Sequence, residues 1–295
     1  MTKLDNEPAH LRRVAETLAA EAAAFVRRRR AEVFGPDTRA AKNSKNSAVR
    51  SKSTPTDPVT VVDTETEQLL RSRLAQLRSG DPILGEEGGG PGDSSDTEAE
   101  AVTWVLDPID GTVNFVYGIP AYAVSVAAQV DGVSVAGAVA DVVAERLYSA
   151  GAGLGAHLTD EHGTRALQCT AIDDLSMALV GTGFGYSRGR RAAQAALLAK
   201  ILPVVRDVRR IGSAALDLCM VAAGSLDAYY EHGLQVWDCA AGALIAAEAG
   251  ARVVLPLPGG PPGAAELVVA AAPGIADDLL GALERFHGLE PIRDD

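Results

Sequence analysis

Residues 104–112 read Trp104-Val105-Leu106-Asp107-Pro108-Ile109-Asp110-Gly111-Thr112. The stretch opens as a strand. Val102, Trp104, Val105 and Leu106 are β-branched, aromatic or otherwise apolar, as in a buried strand. Its character then changes within one residue. Pro108 fixes its own φ and lacks an N–H, so the spacing predicts a turn as the chain leaves the strand. Such a turn can aim Asp107 and Asp110 at one point, with the carbonyl of Ile109 between them. Oxygens of this kind suit a hard cation such as Mg²⁺. Gly111 lets a ligand approach the backbone, and N–H groups at Gly111 and Thr112 suit a phosphate oxygen. Asp, Pro and Gly are also ordinary turn residues, so a strand end capped by its aspartates accounts for the same nine residues.

Two further motifs lie outward from this one. Gly85-Glu86-Glu87 is upstream. Trp237-Asp238 is far downstream, followed by the small-residue run Cys239-Ala240-Ala241-Gly242-Ala243. Taken in this order, the three motifs resemble the signatures of the inositol monophosphatase family. The likeness runs from about Ala9 to Pro291 and is greatest to the family's bacterial, actinobacterial branch. Each motif alone is moderately specific, and the three together are highly so.

The resemblance implies a mixed α+β and α/β chain with the layered α-β-α-β-α sugar-phosphatase fold. Its first sheet is antiparallel and its second smaller and mixed. One domain spans residues 1–295, with an N-terminal α+β half to about 150 and a C-terminal α/β half from about 151. The implied activity is Mg²⁺-dependent hydrolysis of a phosphate monoester, inositol 1-phosphate, by an activated water. By this likeness Glu86, Asp107 and the Ile109 carbonyl bind one Mg²⁺. Asp107, Asp110 and Asp238 bind a second, and there is room for a third near Glu86. Asp63 and Thr112, with Glu86, are the catalytic residues, Asp63 holding the threonine hydroxyl. Asp110, Gly111, Thr112, Arg209, Ser213, Ala214, Glu231 and Asp238 match substrate-binding positions, with Gly212 in the same segment. Gln235 departs from the animal members, which carry histidine there. The family also implies a homodimer and inhibition by Li⁺. Relatives with these motifs act on fructose 1,6-bisphosphate, histidinol phosphate or 3′-phosphoadenosine 5′-phosphate, and some bacterial members bind the transcription machinery. The metal motif reads the phosphate and not the alcohol, so it does not separate these substrates.

Composition points to a globular protein and not a disordered one. Of the 295 residues 47% are hydrophobic, enough for a core. No apolar run reaches membrane-spanning length, and the first residues lack the apolar segment of a signal peptide. Three cysteines without paired spacing, Cys169, Cys219 and Cys239, predict reduced thiols in the cytoplasm. The net charge of −12 argues against nucleic acid as a direct partner. It does not argue against a phosphate substrate, because a bound cation reverses the local field.

Along the chain, the period predicts a helix over Pro8–Phe34 whose Arg27–Arg30 form a solvated cationic end. Gly35–Ser53 reads as a loop, and Lys52 matches a family lysine that comes near the metals. Asp57 reads as a structural loop residue. A helix is predicted from Thr64, with Asp63 as its N-cap. Ile83-Leu84 reads as a strand, and Gly88–Ser95 as a loop without a phosphate-loop pattern. Strands are predicted over 121–130, 133–141 and 146–149, the first two joined by a hairpin at Asp131-Gly132. His157 and His162 read as turn residues. The remainder alternates. Strands fall at 178–182, 204–208, 226–230, 252–255 and 267–271. Helices fall at 191–201, 213–223, 239–249 and 275–286, with Asp238 as the N-cap of the third.

Overall fold

In the computed structural model, residues 6–35, 48–52, 58–90, 101–256 and 266–292 are described. The chain begins with α1 (Pro8–Phe34), whose buried stripe Leu11, Val14, Leu18, Ala22 and Val26 recurs at helical spacing. β1 (Val49–Ser51) pairs antiparallel with β2 (Pro58–Thr60), and α2 (Val61–Leu77) follows. β3 (Ile83–Gly85) precedes β4 (Val102–Asp110) and the short α3 (Thr112–Tyr117). A meander comes next: β5 (Ala123–Val130), β6 (Val133–Asp141), β7 (Arg146–Gly151), β8 (Ala156–Asp160) and β9 (Gly163–Ala166). The alternating part holds β10 (Leu179–Thr182), α4 (Arg188–Ile201), β11 (Asp207–Arg209), α5 (Ala214–Ala222), β12 (Ala228–His232), α6 (Val236–Glu248), β13 (Arg252–Val254), β14 (Leu267–Ala271) and α7 (Ala276–Arg285).

Strands β3 to β9 form one seven-stranded sheet in chain order, antiparallel except for the parallel β3–β4 pair. The second sheet has five strands in the order β11-β10-β12-β14-β13 and is mixed. Side-chain alternation along β4 builds two cores at once. Trp104 and Leu106 pack toward α1 and α2, whereas Val105 packs toward α5 and α6. A third cluster joins α5 and α6 to one face of the second sheet through Leu218, Ala243, Tyr229 and Val268. A fourth covers the other face with α4 and α7 through Leu197, Ile201, Leu279 and Leu283. The layers therefore run α-β-α-β-α, as the resemblance implies.

The middle helical layer is thin because its residues are small. A Cβ on Gly137 of β6 would lie 3.0 Å from the Cα of Ala241, and one on Gly242 would lie 2.9 Å from the Cβ of Leu218. The run Cys239–Ala243 thus lets α6 press against the first sheet and α5 together. That approach fixes where the start of α6, and with it Asp238, comes to lie.

Several elements differ from their sequence reading. β4 does not end before Pro108. Its pairing with β5 passes from Asp107↔Ser125 to Asp110↔Ala123, three residues against two, which is a β-bulge at Pro108-Ile109. The strand prediction missed the α3 turn. His157 lies in β8, where its Nδ1 accepts from the Arg12 guanidinium at 3.0 Å, and β8 and β9 form a hairpin where a turn was expected. His162 does sit in that hairpin's turn. The 204–208 strand is shifted to β11, after a short 3₁₀ turn at Leu202–Val204. Part of the 35–53 loop is β1; residues 36–47, Asp57 and residues 91–95 of the glycine-rich loop lie outside the described residues. Arg27 and Arg29 pair with Glu145 and Glu65, and Arg30 donates to the Phe115 carbonyl. These three arginines are therefore tied to other elements of the fold as well as partly solvated. The three cysteines are free thiols.

Candidate active site

The β-bulge is the local device that builds the site. Pro108 has no N–H to give to the ladder, so the extra residue costs the sheet no hydrogen bond there. The bulge leaves Asp107 and Asp110 both buried. Asp107 Oδ1 accepts from the N–H of Ile109 at 3.0 Å. Gly111 then turns the chain with φ +94°, a left-handed conformation that costs glycine nothing. A Cβ there would lie 3.0 Å from the carbonyls of both Ala121 and Gly212. No other residue fits without moving the 210–213 segment.

That segment orients Asp110. Ser213 Oγ donates to Asp110 Oδ2 at 2.5 Å, and the Ala215 N–H donates to the same oxygen at 2.7 Å. The positive end of α5 therefore holds one oxygen of this carboxylate. Asn114 ties the two segments from the other side, donating to the carbonyls of Ala121 and Ile211.

Asp63 and Asp238 are held by one shared device. Neither is an N-cap, as the sequence reading had it. Thr60 caps α2 and Gln235 caps α6, and each aspartate is the third helical residue of a capping box. The Gln235 N–H donates to Asp238 Oδ2 at 2.7 Å. Asp63 Oδ2 accepts from the Thr60 N–H at 3.0 Å and the Thr60 hydroxyl at 2.5 Å. In the box geometry one oxygen closes the cap and the other is left for the site. Asp63 Oδ1 accepts from Thr112 Oγ1 at 3.2 Å, and the same hydroxyl lies 3.0 Å from the Ile109 carbonyl.

Glu86 is placed by a residue the sequence reading missed. Glu67 on α2 is buried, pairs with Arg71, and accepts the N–H groups of Glu87 at 2.7 Å and Gly88 at 2.8 Å. This folds the Gly85-Glu86-Glu87 turn, and a Cβ on Gly85 would lie 2.4 Å from Glu67 Oε1. The signal was available in the four-residue spacing of Glu67 and Arg71, but nothing in it named the turn 20 residues away. Lys52 reaches Glu86 at 2.6 Å and Glu87 at 2.5 Å, beside the carboxylates as its family match implied.

Carboxylate oxygens of Asp107, Asp110 and Asp238 all lie within 4.8 Å of one another. Burial raises the Asp107 carboxyl far above its usual range, and Glu86, Asp110 and Asp238 push it further. Burial does the same to Asp238, with Asp110 adding to it, and raises Asp110 against its hydrogen bonds. Burial lifts Asp63 to about 7. Like charges this close and this dry are unfavourable alone and become favourable around a divalent cation. The donor chemistry therefore fits a hard metal ion.

The carboxylates form the floor of a cavity of about 420 Å³. Glu86, Asp107, Ile109, Asp110, Gly111, Thr112, Ser213, Ala214, Glu231 and Asp238 all line it, as do Gly212 and Gln235. Asp63 lies beneath Thr112 and reaches the cavity only through it. Arg209 is not brought in. Its exposed side chain pairs with Asp207 at 2.7 Å, and its neighbour Arg210 lines the cavity instead. Arg209 is the last residue of β11 and Arg210 the first beyond it, and sequence reasoning could not tell which of the adjacent arginines reaches the cavity. Phe184, Tyr186 and Trp237 add apolar wall. Burial raises Glu231 to about 7 against the pull of the Tyr229 hydroxyl and of Arg210.

Comparison with known proteins gives one consistent result. The model of the inositol monophosphatase family matches residues 7–288. The inositol-1-monophosphatase of Mycobacterium leprae is 77% identical over 294 residues, covering all of both chains. The inositol-1-monophosphatase SuhB of Mycobacterium tuberculosis H37Rv is 74% identical over the same length, again with full coverage of both. The solved structure of Mycobacterium tuberculosis SuhB superposes with a TM-score of 0.80 at 67% identity, covering 97% of this chain and 100% of that one.

Proposed function

This chain belongs to the inositol monophosphatase family and is a phosphatase, and from that premise we propose that it hydrolyses myo-inositol 1-phosphate with Mg²⁺ as cofactor, releasing myo-inositol and phosphate. One observation carries the reading. Three carboxylates, two from a β-bulge and one from a helix start more than a hundred residues away, converge on the floor of a cavity walled by Glu231 and Arg210. The name of the mycobacterial relatives points to the same substrate.

Asp107, Asp110 and Asp238, with Glu86 and the Ile109 carbonyl, would hold two Mg²⁺ ions, with room for a third beside Glu86, and when bound these neutralise the phosphate and polarise the entering and leaving oxygens. The remaining work falls to the protein. Thr112 has one hydroxyl proton and two acceptors in reach, Asp63 Oδ1 and the Ile109 carbonyl. With that proton on the Asp63 side, the Thr112 oxygen orients a water and takes its proton as the water oxygen bonds to phosphorus. Asp63, raised to about 7 by burial, holds the proton passed on. The ester P–O bond breaks, and the leaving alkoxide is protonated from solvent. Gly111 and Thr112 present backbone N–H groups to the phosphate. Ser213 and Ala214 lie along the substrate, and Glu231 accepts a hydroxyl of the polyol. Arg210 supplies the positive charge first sought at Arg209. Gln235, in place of the animal histidine, tunes which alcohol is preferred.

The family likeness further leads us to expect a homodimer in the cytoplasm and inhibition by Li⁺. The test is phosphate release at fixed Mg²⁺, with and without Li⁺. The panel is myo-inositol 1-phosphate, glycerol 2-phosphate, fructose 1,6-bisphosphate, histidinol phosphate and 3′-phosphoadenosine 5′-phosphate. Preference for the inositol ester, lost on chelation, is the expected result. Preference for another ester overturns the substrate, and no turnover of any ester by the Mg²⁺-bound protein moves the weight to a regulatory role.

A further inference from the structure

Glu231 is held in the cavity wall by two features outside the metal site. The first is Tyr229, two residues earlier on β12 and so on the same face of the sheet. Its hydroxyl donates to Glu231 Oε2 at 2.5 Å. The ring itself has no exposure, being packed among Leu218, Val268 and Ala270, so the donor cannot wander. The second is a slot on the neighbouring strand. In β10 Gly181 is directly opposite Tyr229, and Gly183 continues that line past the strand end. A Cβ on Gly183 would lie 1.8 Å from Glu231 Oε2 and 2.2 Å from its Cδ. One on Gly181 would lie 3.2 Å from Tyr229 Cδ2. The Gly181-Thr182-Gly183 alternation thus opens the space in which the tyrosine and the carboxylate sit.

A terminal carboxylate rotates freely in a broad, two-fold well, and ordering it on binding costs affinity. Here that cost is met within the fold. We propose that Tyr229 is a positioning residue which, with the space left by Gly183, commits Glu231 Oε2 to the protein and leaves Oε1 as a fixed acceptor for a hydroxyl of a polyhydroxylated phosphate ester. The pair thereby sets the preference for polyol phosphates over esters without hydroxyls. The proposal rests on the reading above that Glu231 accepts a substrate hydroxyl.

The test is steady-state kinetics of the full chain with Mg²⁺ on myo-inositol 1-phosphate, glycerol 2-phosphate and 4-nitrophenyl phosphate, alongside thermal melts. Tyr229→Phe removes one oxygen from a buried ring. It is expected to raise KM for the inositol ester about tenfold, the equivalent of about 1.4 kcal/mol. Its kcat stays within about twofold, and kcat/KM for the nitrophenyl ester, which offers no hydroxyl, does not move. Glu231→Gln gives the same selective loss, and adding Tyr229→Phe to it costs nothing further, because the two residues act as one unit. Gly183→Ala displaces the same carboxylate from the other side and repeats the signature, which keeps the test valid if Tyr229→Phe melts early. An unchanged KM for the inositol ester, or an equal loss on both kinds of ester, overturns the proposal. A wild-type chain that cleaves the other esters but not inositol 1-phosphate overturns the substrate reading instead. The Tyr229→Phe comparison on glycerol 2-phosphate then decides the positioning role alone.

Discussion

Replacing Asp107 by Asn should make the metal-free protein more stable and the Mg²⁺-containing protein less so. Asn keeps the size of the side chain and an oxygen that can accept from the Ile109 N–H, as Asp107 does at 3.0 Å. What it removes is a charge. Oxygens of Asp107, Asp110 and Asp238 lie within 4.8 Å of one another, so each ionised pair repels by about 3.5 kcal/mol at an effective dielectric constant of about 20. Asp107 takes part in two such pairs, and the sum applies in full only when all three carboxylates are ionised. Protonation relieves much of it, since burial already holds the Asp107 carboxyl far above its usual range. A net gain of about 1–3 kcal/mol is left, which for a chain of this size raises the melting temperature by roughly 2–5 °C. The cation reverses the order. At about a hundred times its dissociation constant a ligand stabilises by about 2.7 kcal/mol, and without Asp107 most of that is lost. The assay is thermal unfolding of both proteins in chelator and across a Mg²⁺ titration at about pH 8. The expected curves cross: the variant melts higher in chelator, the wild type higher in Mg²⁺. A variant that melts lower in chelator, or that gains as much from Mg²⁺ as the wild type, would refute the reasoning. Near-normal phosphatase activity of the variant would refute the site itself.

Asp63→Asn and Thr112→Val should each lower kcat by about 10²–10⁴ with KM little changed, because proton handling is lost while the cavity wall is intact; a loss confined to KM would contradict this. In chelator, Asp63 and Glu231, normally near 3.8 and 4.5, are both raised to about 7. The folded chain then binds protons that the unfolded chain has released, so stability falls as pH rises from about 4 to about 7. Asp63 alone contributes up to about 4 kcal/mol of that fall. Calorimetry in chelator showing a melting temperature that climbs through this window would overturn it. Gly111→Ala should destabilise by about 1–3 kcal/mol and weaken Mg²⁺ binding, since its φ of +94° and the carbonyls of Ala121 and Gly212 at 3.0 Å leave no room for a methyl. An alanine variant with wild-type melting and Mg²⁺ affinity would show that the 210–213 segment yields freely.

Which residues would meet at one cavity was largely legible before any coordinates. Glu86, Asp107, Ile109, Asp110, Thr112, Ser213, Glu231 and Asp238 line one cavity, and Asp63 stands behind Thr112. The resemblance of the three motifs, taken in order, to the inositol monophosphatase family carried that. The layered fold was legible through the same resemblance, while the period-3.6 and period-2 patterns, being local, gave most of the individual helices and strands. What depended on long-range register was not legible. The bulge at Pro108-Ile109 exists only against β5, so the sequence alone suggested a turn. Both helix starts were misplaced by three residues, because an aspartate reads equally as an N-cap or as the closing acid of a capping box until the cap's own partners are known. Arg209 ends β11 and Arg210 follows it, and only the tertiary structure decided which of the two reaches the cavity. Glu67 under the Glu86 turn and Tyr229 under Glu231 carry no motif. Sequence by itself determined which groups are present and their local periodicity, because both are properties of neighbouring residues. Tertiary structure alone decided which oxygen of each carboxylate is used by the fold and which is left for chemistry, because each of those hydrogen bonds depends on packing that brings its groups into register.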